Sequence, residues 1–166
     1  MVEIELLALR DDLPSGAPVL WLRQIGASRV LPITIGGREA ESIGWELEGI
    51  EFPRPMTHDL LRSVVEDLGA EVTAVHITHV DNGTFFADLL LRQGERTITV
   101  SARPSDAVAL ALRADAPLYA DETVLDQAGV DLEETEAPDD EVLDEGRMVE
   151  EFREFLEDVQ PEDFAP

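Results

Sequence analysis

Glu71-Val-Thr-Ala-Val-His-Ile-Thr-His-Val80 and Thr84-Phe-Phe-Ala-Asp-Leu-Leu-Leu-Arg92 flank the turn Asp81-Asn82-Gly83. β-Branched and aromatic residues on both sides of an Asn-Gly pair predict a hairpin. Gln93-Gly94 turns the chain again into a third strand, Arg96 to Ala102. Only then does a helix follow, Arg103-Pro-Ser-Asp-Ala-Val-Ala-Leu-Ala-Leu-Arg113, with Pro104 suited to the first helical position. Three strands in succession before a helix argue against a doubly wound parallel sheet. We expect an α+β fold with a mixed or mainly antiparallel sheet and packed helices.

The flanking sequence fits that reading. Val2 to Arg10 predicts a strand, and Asp11 to Pro18 a loop. Val19 to Ile25 and Arg29 to Ile35 predict two strands around Gly26-Ala27-Ser28. Gly36-Gly37 breaks the pattern, and Ala40, Ile43 and Leu47 then recur at helical spacing until Gly49. Thr57 is a good N-cap for a second helix, whose apolar stripe is Leu60, Leu61, Val64, Val65 and Leu68. Leu118 to Ala120 predicts a short extended piece, and Glu122 to Ala128 a short helix ending at Gly129. His76 and His79 fall on one strand and, at strict alternation, point to opposite faces.

Three regions follow: a domain over residues 1–130, an acidic linker over 131–140, and an acidic tail over 141–166. In the tail, Val142, Met148, Val149, Phe152, Phe155, Leu156 and Val159 fit an amphipathic helix ended by Pro161. Such a stripe predicts docking on its own domain, on a second copy, or on a protein partner.

The charge is extreme. The chain has 166 residues, 37 acids and 12 bases, for a net charge of −25. All the bases are arginine. Residues 131–166 carry 16 of the acids and 2 of the arginines, so the body is much less anionic than the total suggests. This charge opposes non-specific binding to nucleic acid. Cysteine is absent, which excludes disulfides and thiolate metal sites. No apolar run is long enough to span a bilayer, and Met1 to Arg10 lacks a signal-peptide pattern. A cytoplasmic protein without membrane contact is expected.

No zinc-protease motif, P-loop, dinucleotide fingerprint or nucleophile elbow is present. Chemistry is instead suggested by a device that occurs twice. Arg54-Pro-Met-Thr-His-Asp59 and Arg103-Pro-Ser-Asp106 each place an arginine, a hydroxyl and a carboxylate at a helix start. Backbone N–H donors and the positive dipole end gather there. His58 is the candidate general acid or base. Asp59 and Asp106 are candidate catalytic carboxylates and metal ligands, with Glu39 as a third ligand. Arg54 and Arg103, with Thr57 and Ser105, are the candidate phosphate-binding groups. Each also has a structural reading. The acids can compensate helix dipoles, and Arg103 with Asp106 can form an ion pair that fixes the strand-to-helix turn.

Together, Leu31-Pro-Ile-Thr-Ile-Gly36, Glu39-Ala40, Arg54-Pro-Met-Thr-His-Asp-Leu-Leu61, Thr84-Phe-Phe-Ala87 and Arg103 to Arg113 resemble the bifunctional nuclease family. The resemblance covers roughly the first 130 residues, the size of one domain. Phe152-Arg-Glu-Phe-Leu156 and Pro161-Glu-Asp-Phe164 resemble extensions on actinobacterial members. The family implies an α+β domain that self-associates, a dimer being favoured here, and nuclease activity on RNA and DNA. Family members often carry an aspartate where this chain has Ser101.

The expected function is a metal-dependent nuclease in which Mg²⁺ or Mn²⁺ sits on Asp59, Asp106 and Glu39. A non-catalytic regulatory protein that uses its acidic tail, or a small-molecule phosphoesterase, are the other readings.

Overall fold

In the computed structural model the chain divides into two units, Met1–Thr135 and Glu136–Pro166. The structure describes residues 1–12 and 15–132. The expectations for the linker and the amphipathic tail lie outside the described residues, apart from Asp131 and Leu132.

Among the described residues, eight strands form one sheet. They are β1 (Val2–Asp11), β2 (Pro18–Gln24), β3 (Arg29–Thr34), β4 (Glu71–Asp81), β5 (Thr84–Gln93), β6 (Arg96–Ala102), β7 (Leu118–Ala120) and β8 (Val130–Asp131). Their order is β6-β5-β4-β7-β1-β2-β3-β8. Only the β4–β7 pairing is parallel. The other six are antiparallel, so the sheet is mixed as expected. The hairpin turn forms at Asn82 and Gly83, both with positive φ, as an Asn-Gly pair permits.

Four helices of the described residues accompany the sheet: α1 (Gly37–Leu47), α2 (Thr57–Asp67), α3 (Pro104–Arg113) and α4 (Glu122–Ala128). α3 lies between the sheet and the other two long helices, touching β4 and β5 on one side and α1 and α2 on the other. This explains its composition. Ala107, Val108, Ala109, Leu110 and Ala111 are all buried. A helix that is apolar all round belongs inside, and its alanines let neighbouring backbones approach closely. Val124 and Leu125 of α4 join the same core as Leu20, Leu22, Leu31, Ile43, Val75 and Ile77.

Three expectations are corrected. The N-cap of α2 is Met56, and Thr57 is the first helical residue. The Met56 N–H donates to Asp59 Oδ2 at 2.8 Å, so the first turn is closed by Asp59 reaching back to the N-cap. His76 and His79 share a face. A bulge between Ile77 and His79 adds one residue to β4, so His76 lies opposite Asp88 and His79 opposite Phe86. His79 stacks on Phe86 with ring centroids 4.3 Å apart. Finally, only Val65 of the α2 stripe is buried; Leu60, Leu61, Val64 and Leu68 are exposed. Helix α2 offers its apolar face outward because α3 is already covered by its inner side.

Candidate active site

Three helix starts meet over the end of the sheet. β6 delivers Arg103, the N-cap of α3, and Asp106 follows in the first turn. α1 begins at Gly37 after its N-cap Gly36, with Glu39 in the first turn. α2 contributes His58 and Asp59. The packing of α1 and α2 against α3 turns these separate sequence motifs into neighbours.

Arg103 is the centre of the first group. Its Nε donates to Asp106 Oδ2 at 2.7 Å, and its Nη2 to Asp106 Oδ1 at 3.0 Å. The same Nη2 donates to Glu39 Oε1 at 2.6 Å. The arginine side chain is 65% exposed, against 18% for Glu39 and 32% for Asp106. The guanidinium therefore reaches solvent while two less exposed carboxylates hold it. Gly36 makes room for this arrangement: a Cβ there would lie 2.2 Å from Glu39 Oε2.

Asp106 also faces His58, with Oδ1 at 3.3 Å from Nε2. The other ring nitrogen, Nδ1, lies 2.8 Å from the hydroxyl of Ser42. His58 and Ser42 are both buried. Burial works against the charge on Asp106, but the hydrogen bonds from Arg103 and His58 prevail and hold its carboxyl below the usual aspartate range. Glu39 is likewise lowered, first by its own backbone N–H and then by Arg103. The two carboxylates in turn raise the affinity of Arg103 for its proton.

Asp59 belongs to a second group. Arg113 is buried, and its Nε donates to Asp59 Oδ1 at 2.5 Å. Arg113 Nε is also 3.7 Å from Glu46 Oε2. Its Nη1 and Nη2 donate to the carbonyls of Ala109 and Ser42. Burial is the largest influence on Asp59 and opposes its charge. Arg113 and the Met56 N–H outweigh it and keep the carboxyl below its ordinary value.

The expected residues thus separate. Glu39, His58, Asp106 and Arg103 come together; Asp59 is turned to Arg113. Arg54 and Thr57 are exposed in the approach to α2 and its first turn, where Phe52 packs edge-on against Trp45. Ser105 is buried in the first turn of α3. Among the described residues, no three His, Cys, Asp or Glu side chains form a group able to hold a metal ion. Two residues escaped the sequence reading. Ser42 carried no motif, although it lies one turn after Glu39 on the same helix. Arg113 carried the signal of a charge ending an otherwise apolar helix.

The match to known proteins falls on this architecture. The family model described as "Bifunctional nuclease domain" matches residues 20–133, which include all these side chains. This chain belongs to the bifunctional nuclease family. Among its relatives is an uncharacterized protein of Mycobacterium tuberculosis, 46% identical over 164 residues, covering 99% of this chain and 98% of the relative. Bifunctional nuclease 1 of Oryza sativa subsp. indica is 30% identical over 116 residues, which are 68% of this chain and 35% of the plant protein. Bifunctional nuclease 2 of Arabidopsis thaliana is 27% identical over 113 residues, 64% of this chain and 34% of that protein. What the plant bifunctional nucleases share with this chain is thus about a third of their own length. No helix of the described residues is long and apolar enough to cross a membrane.

Proposed function

We propose that this bifunctional nuclease family member hydrolyses phosphodiester bonds of RNA and DNA at the Glu39–Arg103–Asp106–His58 cluster. The observation that supports this most is Arg103, a solvent-facing guanidinium held by two carboxylates within the family's domain. An arginine so placed can exchange a carboxylate for a phosphate without moving its backbone, because both offer paired oxygens to the same fork.

Charge determines what else the site needs. Glu39, Asp106 and Arg103 together carry one net negative charge, and a phosphodiester brings another. Mg²⁺ or Mn²⁺ would neutralise that sum. Magnesium is commonly held by one or two carboxylates, with water and substrate phosphate completing its shell. Glu39 and Asp106 suit this mode; Asp59 would join them only by leaving Arg113. When bound, the cation would offset phosphate charge and activate water. His58, buried behind Asp106, would orient that carboxylate and take part in proton transfer through it. Arg54 and Thr57, exposed nearby in the chain, would guide the polymer.

The test is hydrolysis of RNA, single-stranded DNA and a panel of small phosphodiesters, with Mg²⁺ or Mn²⁺ and with EDTA. Polymer cleavage that EDTA stops and Asp106→Asn reduces about a hundredfold is expected. Cleavage of small esters alone would favour a phosphoesterase. No cleavage by the wild-type protein would favour the regulatory reading.

The same proposal includes self-association through α2. Its exposed Leu60, Leu61, Val64 and Leu68 form an apolar stripe that a second copy would cover. Light scattering should report a dimer that Leu61→Glu with Leu68→Glu converts to monomer; a monomeric wild type would remove this part. A cytoplasmic location is part of the same proposal.

A further inference from the structure

We infer that Ser42 is a positioning residue that anchors the His58 ring through Nδ1 and thereby aims Asp106. The kinetic part of this inference rests on the nuclease reading; the structural part stands without it.

The argument starts at Asp106. Arg103 occupies both of its oxygens, so the carboxylate is ionised and can only accept hydrogen bonds. His58 Nε2, 3.3 Å from Oδ1, must then carry a proton. In neutral imidazole this leaves a bare lone pair on Nδ1. The ring is 7% exposed, so water is a poor partner for that lone pair. The Ser42 hydroxyl lies 2.8 Å away and can donate to it. The opposite tautomer would direct a lone pair at a carboxylate, which is repulsive. Asp106 therefore sets the tautomer, and Ser42 meets it by donating to Nδ1 and holds the ring where Nε2 reaches Asp106.

The setting makes the hydroxyl separable from the rest of the residue. The Ser42 carbonyl accepts from Arg113 Nη2 at 3.1 Å, and any residue at this position keeps that carbonyl. Alanine is smaller and favours helix, so Ser42→Ala removes the hydroxyl and little else. The charged groups around the ring stay in place: Glu39 and Glu46 on α1, Asp59 on α2 itself, and Arg103, Asp106 and Arg113 from α3 and its cap.

Two measurements test the inference. Long-range ¹H–¹⁵N correlation of the intact protein reads the His58 tautomer and the hydrogen bond to Nδ1 directly. The expected result is a proton on Nε2 in the wild type and, in Ser42→Ala, an Nδ1 resonance shifted by the loss of its donor. Ser42→Thr, which keeps the hydroxyl, should restore the wild-type pattern. A wild-type proton on Nδ1, or an unchanged pattern in Ser42→Ala, would overturn the inference whether or not the protein cuts nucleic acid. In an active enzyme, Ser42→Ala should lower kcat about tenfold with KM unchanged, and Ser42→Thr should recover most of it. A shifted Nδ1 resonance with unchanged kcat would overturn the positioning role. A shifted Nδ1 resonance in a protein with no nuclease activity would support the Ser42–His58 anchor and count only against the nuclease reading.

Discussion

Arg103 and Arg113 stand at opposite ends of one helix, and each holds two acidic side chains. Arg103 is 65% exposed and shared between Glu39 and Asp106. Arg113 is 5% exposed and bound to Asp59, Glu46 and two backbone carbonyls. The chemistry of the pairs is nearly the same, but their surroundings give them different work. An arginine facing water can release a carboxylate to take a ligand at little cost. One surrounded by protein cannot, because its departure leaves buried acceptors without donors. The difference explains why two similar sequence devices differ in the folded chain: Asp106 faces the open arginine and Asp59 the closed one.

The comparison breaks most severely at the closed end. Arg113→Met should cost about 3 kcal/mol of stability by urea denaturation, because Asp59 and the Ser42 and Ala109 carbonyls lose their donor. A loss below about 1 kcal/mol would show that water replaces Arg113 as donor to these acceptors. Arg103→Ala should do the reverse. Stability should change by less than about 1 kcal/mol, as for other exposed pairs, while nuclease activity falls by about two orders of magnitude. Equal stability losses in both variants would erase the distinction.

Acid should expose both groups at once. Glu39, Asp59 and Asp106 all have lowered carboxyl pKa values. Their contribution is present above the unfolded carboxylate range, about pH 4, and is lost as pH falls through the lower folded values. The urea midpoint should therefore decline as pH drops below about 5, and Asp59→Asn should flatten that decline. A midpoint constant down to pH 3 would show that neither network stabilises the fold. Gly36→Ala probes the open end more gently. Its backbone φ of −75° accepts alanine, so the fold should hold, but the new methyl displaces the Glu39 carboxylate. Activity should fall severalfold with the melting temperature nearly unchanged. Arg62→Ala, which removes an exposed pair with Glu66 outside both groups, should shift stability by no more than about 0.5 kcal/mol.

The local code of this chain was readable where structure is local. The Asn82-Gly83 turn, the period of β4 and β5, and Pro104 at the start of α3 all state their conformation within a few residues. The α+β class followed from them. The β-bulge in β4 was not legible, because an inserted residue preserves the alphabet of the strand while changing its phase. The outward face of α2 was also hidden: its stripe looks like any buried stripe until α3 is known to be covered. In the site, Glu39, His58, Arg103 and Asp106 were visible as helix-start residues. The separation of Asp59 from them, onto Arg113, was not, since it depends on which end of α3 each neighbouring helix meets. Ser42 was invisible for a related reason, because a serine inside a helix acquires meaning only from the ring packed against it.

The cluster is also written across distant parts of the chain. Arg103 lies 64 positions from Glu39, and Asp106 lies 48 from His58. No contiguous peptide of modest length holds it, and a chain still growing toward α3 has Glu39 and His58 without the Arg103 and Asp106 that join them. Any local opening that lifts α3 off the sheet removes Arg103 and Asp106 in the same step. Chemistry done at this place is therefore gated by integrity of the fold, so a damaged or incomplete molecule is silent rather than partly competent.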